Sequence, residues 1–115
     1  MRKQTVVALV AGIGMVAALP ASAQDKAQVA RGIKVFADQR CSICHAIDKK
    51  GNVKGPLDNV GLKLTADEIR AWITMPKEMA VKTKAERKPP MKEFPDLAKD
   101  DVDALVAYLQ TLKKK

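Results

Sequence analysis

Aromatic residues are scarce in this 115-residue chain, with two Phe, one Trp and one Tyr. Phe36, Trp72, Phe94 and Tyr108 are too few to build a core on ring packing. A small domain with a thin core needs a staple, such as disulfides, a metal or a cofactor. Cysteine is scarce too, and Cys41 and Cys44 are the whole supply. A bridge between them would close too short a loop to stabilise much, which excludes a disulfide framework. No stretch sustains period-two alternation with β-branched residues, so a sheet protein is excluded. Internal repeats and low-complexity linkers are absent as well. Some other group must complete the core.

The chain opens with a positive start, Met1-Arg2-Lys3, followed by an apolar run from Val6 to Leu19. Pro20 breaks the run, and Ala21-Ser22-Ala23 offers small residues where a signal peptidase reads. This is the layout of a secretory leader, so residues 1–23 are expected to be a signal peptide and 24–115 one domain. The run is short for a bilayer span of about 20 residues, which argues against a retained anchor. No cysteine near the cleavage site supports a lipid anchor.

The formal charge is +8, and removing Arg2 and Lys3 leaves 19 basic against 13 acidic side chains, near +6. A basic balance suits nucleic acid, anionic membranes or acidic proteins. Export argues against nucleic acid. Acidic protein partners are the functional reading, and plain solubility is the other.

Three helices are expected. The first spans Lys26 to Gln39, with Asp25 and Gln28 as a capping pair and Val29, Ile33 and Phe36 as its apolar stripe. Gly32 within it costs about 1 kcal/mol relative to alanine, which points to a second backbone passing close by. The second spans Ala66 to Met75, with Thr65 and Glu68 as a capping box and Ile69, Trp72 and Ile73 facing inward. Pro76 is expected to end it. The third spans Lys99 to Leu112, with Val102, Leu105, Val106 and Leu109 on one face and a weak cap at Ala98. The tail from Lys113 to Lys115 is expected to fray. The fold class is therefore all-α. Loops from Asp48 to Leu64 and from Lys77 to Leu97 are long for so small a domain and need an anchor or a function.

Cys41-Ser42-Ile43-Cys44-His45 reads as a c-type haem attachment sequence. Each thiol adds to one haem vinyl group, and cysteines three apart on a helical turn reach two neighbouring vinyls. The histidine that follows can offer its imidazole to the iron. A zinc site normally needs four ligands, and Cys41, Cys44 and His45 supply three. A thioredoxin-like pair would need a strand–helix–strand setting that the pattern lacks. An incidental match to five residues is the remaining alternative.

With these features the chain resembles a small bacterial class I cytochrome c, over nearly all of the expected mature domain. The resemblance rests on Gly32 and Phe36, on Cys41 to His45, on Gly55-Pro56-Leu57, on Trp72-Ile73, on Pro90-Met91, and on Leu105 and Tyr108. One difference is that Phe36 to Cys41 is a residue longer than in many relatives, which implies a bulge before the haem. The resemblance implies three or so main helices and long loops wrapped around one covalently attached haem c. It implies that Gly32 and Phe36 cross the last helix at Leu105 and Tyr108. It implies that the Pro56 carbonyl accepts from the His45 ring, and that His45 and Met91 are the two axial iron ligands. Among the other methionines, Met79 remains possible and Met75 suits packing at a helix end. Met91 is favoured because Pro89-Pro90 holds the chain extended ahead of it. Trp72 is either a haem contact or plain core.

The function so implied is that of a periplasmic or secreted protein shuttling single electrons, not an enzyme. Its partners would be redox proteins with acidic docking surfaces. Lys49, Lys50, Lys54, Lys82, Lys84, Arg87, Lys88 and Lys92, in the two loops flanking the haem, would steer them. A gas sensor or weak peroxidase with a labile sixth ligand, or a haem subunit of a larger redox complex, are the alternatives.

Overall fold

The computed structural model describes residues 21–115, with Gly12 and Gly14 ahead of them. Of the expected leader, Gly12, Gly14 and the last three residues are described, and the backbone of those three begins the first helix. Helix α1 spans Ala21–Asp38, starting upstream of the expected Lys26. Asp25 therefore sits inside the helix rather than capping it, because the alanine-rich 21–24 segment has good helix propensity. The apolar stripe is also turned from the expected one. Gly32 and Val35 are buried, Phe36 is partly buried, and Ile33 is 50% exposed.

The turn of α1 is set by its contact with helix α5, Lys99–Gln110. A Cβ placed on Gly32 would collide with the Ala104 carbonyl and lie 2.6 Å from Tyr108 Cβ. The glycine thus gives up helix propensity for a backbone-to-backbone approach, as the sequence suggested. One step along, Phe36 and Tyr108 meet edge to face, with ring centroids 5.9 Å apart and planes at 89°. Such a pair adds about 0.5–1.5 kcal/mol beyond area burial. The Arg31–Asp101 ion pair, 2.8 Å, flanks the crossing at the surface and adds little.

Helix α5 buries Val102, Ala104, Leu105, Val106 and Leu109, and Ala98 caps it with no side-chain hydrogen bond, as expected. Helix α3, Ala66–Thr74, packs on α5 through buried Ile69 and Ile73. Its capping box is complete: the Glu68 amide donates to Thr65 Oγ1 at 3.2 Å, and the Thr65 amide donates to Glu68 Oε1 at 3.1 Å. Pro76 ends α3 as expected, but it also opens helix α4, Pro76–Thr83, at the first helical position. Proline is suited there, since its missing N–H would have no intrahelical partner.

The remaining elements are short. Strands β1, Ala46–Ile47, and β2, Lys50–Gly51, form an antiparallel hairpin. Its two turn residues, Asp48 and Lys49, both have positive φ, as a tight hairpin requires. Helix α2, Val60–Lys63, is a single turn. Two-residue strands are too short to leave a period-two signal. The C-terminal tail departs from expectation. The Lys114 amide donates to the Asp58 carbonyl at 2.9 Å, and the Gly61 amide donates to the Leu112 carbonyl at 2.8 Å. These bonds pin the tail beneath the first long loop. The architecture is all-α apart from the short hairpin, and no described helix is long and apolar enough to cross a membrane.

Candidate haem site

Helix α1 ends at Asp38, and Arg40 turns the chain with φ 56° in the left-handed region. A 3₁₀ turn, Cys41–Ile43, follows. The Cys44 and His45 amides both donate to the Cys41 carbonyl, at 3.1 and 2.9 Å. The turn places Cys41, Cys44 and His45 together on the wall of one cavity of ≈ 330 Å³. That volume lies within the range of small-molecule and cofactor sites, about 300–1,000 Å³.

The opposite walls come from every major element. Leu57 and Leu64 line the cavity from the first long loop, Ile69, Trp72 and Ile73 from α3, and Leu105 and Leu109 from α5. Pro89, Pro90, Met91 and Phe94 line it from the segment after α4. Of the three methionines downstream of the motif, Met91 alone is on the wall. Met79 is buried elsewhere and Met75 is 50% exposed.

The chemistry of the donors follows from this setting. Both cysteines are free thiols and partly buried. Burial pushes Cys41 up to about 11, so the thiol stays protonated at neutral pH. Burial also lowers the His45 pKa; a hydrogen bond to Gly55 opposes this, and the nearby Arg87 charge reinforces it. The imidazole is held neutral, which is the form that ligates a metal. His45 Nδ1 lies 3.1 Å from the Gly55 carbonyl oxygen. With Nδ1–H donating there, Nε2 keeps its lone pair for a metal.

The expected acceptor for that bond was Pro56, and the structure corrects it to Gly55. Ala46 and Pro56 form a parallel bridge. The Ala46 amide donates to Gly55 O at 3.0 Å, and the Leu57 amide donates to Ala46 O at 2.8 Å. Such a bridge uses the groups flanking its middle residue, so the Gly55 carbonyl faces the His45–Ala46 edge. Pro56 is exposed and does not line the cavity.

Sequence reading missed two other groups. Asn52 stitches the attachment turn to the loop. Its amide donates to the Ser42 and His45 carbonyls, each at 3.0 Å, and its Nδ2 donates to the Ile43 carbonyl at 3.1 Å. Arg87 was read only as one of eight surface cations. All eight are exposed, but Arg87 also reaches the cavity wall and hydrogen-bonds the Cys44 carbonyl. No pattern signalled either residue.

Two thiols three residues apart, a neutral imidazole and a thioether, all facing one apolar cavity, suit a covalently bound haem. The family model for cytochrome c matches residues 29–113, from α1 to the tail. The chain belongs to the cytochrome c family. This cytochrome c carries a covalently attached haem c, and its role is haem-based electron transfer. It is also 30% identical over 92 residues to cytochrome c oxidase subunit 2 of Alkalihalophilus pseudofirmus. The match covers 72% of this chain and 25% of that subunit, so the chain spans about a quarter of the relative's length. No solved structure matches the chain.

Proposed function

We propose that this cytochrome c is a periplasmic or secreted carrier of single electrons, with Cys41 and Cys44 as the thioether anchors and His45 and Met91 as the axial ligands. The observation that carries this reading is that Met91 shares the cavity wall with Cys41, Cys44 and His45, while Met75 and Met79 do not. Bound there, the haem supplies a one-electron iron couple. The protein's own part is binding and environment. His45 and Met91 would together hold the iron and leave it no open position for a substrate, which argues for a carrier and against an enzyme. A thioether donor and the apolar walls of Leu57, Ile73 and Phe94 favour the ferrous state and raise the potential. Trp72, on the wall at the end of α3, packs against the haem in this reading.

The exposed lysines of the flanking loops would guide acidic redox partners to the site. Among the described residues, none of Lys49, Lys50, Lys54, Lys82, Lys84, Arg87, Lys88 and Lys92 forms an ion pair within the chain. The charge of the first five and of Lys88 is thus free for a partner, while the Arg87 guanidinium bonds the Cys44 carbonyl and the Lys92 ammonium lies over the Phe94 ring.

The test is a visible spectrum of the haem-loaded protein with and without carbon monoxide. A reduced spectrum that carbon monoxide leaves unchanged supports the carrier. A high-spin spectrum that shifts with carbon monoxide means an open iron, and the sensor or peroxidase alternative replaces it.

The likeness to an oxidase subunit favours a second reading, a haem module working within a larger redox complex. Co-purification of a stoichiometric partner under mild extraction would support it, and a monomeric haem protein would support the free shuttle.

A further inference from the structure

The segment from Ala85 to Ala98 carries Met91, yet it holds no regular secondary structure apart from turns. Few bonds fasten it. The Ala85 amide donates to Ala80 at its entrance, and the Leu97 amide donates to Phe94 within it. Lys77 and Glu93 form an exposed ion pair at 3.3 Å. Among the described residues, one hydrogen bond joins the segment to the attachment turn. Arg87 donates through its guanidinium to the Cys44 carbonyl at 2.5 Å, across 43 positions of sequence.

The seat of this guanidinium is shaped for it. A Cβ on Gly55 would collide both with the Arg87 head, its guanidinium carbon 2.8 Å away, and with the Cys44 backbone carbonyl. Gly55 is buried, and its own carbonyl accepts from the His45 ring. One glycine thus receives the histidine on its carbonyl and leaves room for the arginine at its α-carbon. The arginine lies four residues before Met91, so its anchor fixes where the methionine segment starts.

We propose that Arg87 is a positioning residue, a strap that holds the Met91 segment against the Cys41–His45 turn and so keeps the methionine on the iron. The inference rests on Met91 being the distal ligand. Arginine suits the task because its planar fork can bond a carbonyl while stacking on a flat backbone surface. Glutamine at this position would be shorter and uncharged. Lysine would keep the charge and one donor but lose the fork.

The experiment compares haem-loaded wild type, Arg87→Gln and Arg87→Lys. Two readouts are taken: the far-red ferric band of methionine ligation, and the affinity for added imidazole, which competes for the methionine position. Arg87→Gln should keep covalent haem but bind imidazole roughly threefold to tenfold more tightly, the scale of one partly exposed charge-assisted bond. Its methionine band should vanish at a lower pH than in wild type. Arg87→Lys should fall between the two. If Arg87→Gln loads no haem, Arg87→Lys against wild type decides by the same readouts. Imidazole affinity and band unchanged from wild type in these variants would overturn the strap while leaving Met91 as ligand. A wild type with no methionine band would overturn the Met91 reading and the strap with it.

Discussion

Gly32 of α1 and Ala104 of α5 approach so closely that the Ala104 carbonyl occupies the space where a side chain at Gly32 would begin. This contact fixes the crossing of the two helices and brings Phe36 beneath Tyr108. Gly32→Ala is therefore expected to destabilise the haem-loaded protein by about 1–3 kcal/mol, despite alanine's better helix propensity. Thermal unfolding followed by far-ultraviolet circular dichroism checks this. An unchanged or higher midpoint would mean that the helices separate without cost.

The capping box at Thr65 gives a pH signature. The Glu68 carboxyl lies below its ordinary value near 4.5, first because the Thr65 backbone amide donates to it, and then because of the Thr65 hydroxyl. A lowered folded pKa means that the unfolded state binds the proton more readily. The associated stability is present above the ordinary value and is lost as the pH falls through the folded one. Glu68→Gln keeps a capping partner without a titrating charge. Its melting midpoint should approach that of wild type as the pH drops from about 6 to 3. A constant gap over that range would remove Glu68 from the acid response.

A haem seated in its cavity would complete the core. The cavity is walled by leucines and isoleucines from the same helices that form the main cluster. Filling apolar volume of this kind is worth about 24 cal/mol per Å³, so a prosthetic group contributes several kcal/mol here. That is a large share of a small domain's stability. Cys41→Ala with Cys44→Ala should abolish covalent haem in mass spectra of denatured protein and leave a chain with little cooperative unfolding. A stable, fully helical double variant would show that the helices close without the cofactor.

The loop cations give a kinetic test. Electron transfer from an anionic protein donor should slow steeply as salt rises from about 10 to 200 mM. Replacing Lys82, Lys84 and Lys88 with glutamate should flatten that dependence. A flat response in wild type would reduce these lysines to a solvated surface.

Much of this was legible in the sequence because the signals were local. Cys41, Cys44 and His45 are consecutive enough to read as one chemical unit. The Thr65–Glu68 box and the buried faces of α3 and α5 follow from spacing of three and four. What escaped was set by distant partners. Ile33 matched the stripe by spacing, but the demand of Gly32 for the α5 backbone rotated α1 and left it in solvent. The histidine acceptor moved from Pro56 to Gly55 because a bridge to Ala46 orients the carbonyls. Helix α4 hid because Pro76 was read as a stop, when the same ring also starts a helix. Arg87 looked like any loop cation until folding brought it to Cys44.

The assignment of the sixth ligand rests on one residue, and one comparison tests it. The ferric spectrum would be recorded for Met91→Ala, Met75→Ala and Met79→Ala beside wild type. The far-red methionine band should be present in wild type, Met75→Ala and Met79→Ala, and absent in Met91→Ala, which should also gain carbon monoxide binding when reduced. A band that survives Met91→Ala, or that wild type never shows, would contradict His45–Met91 ligation and with it the closed electron carrier.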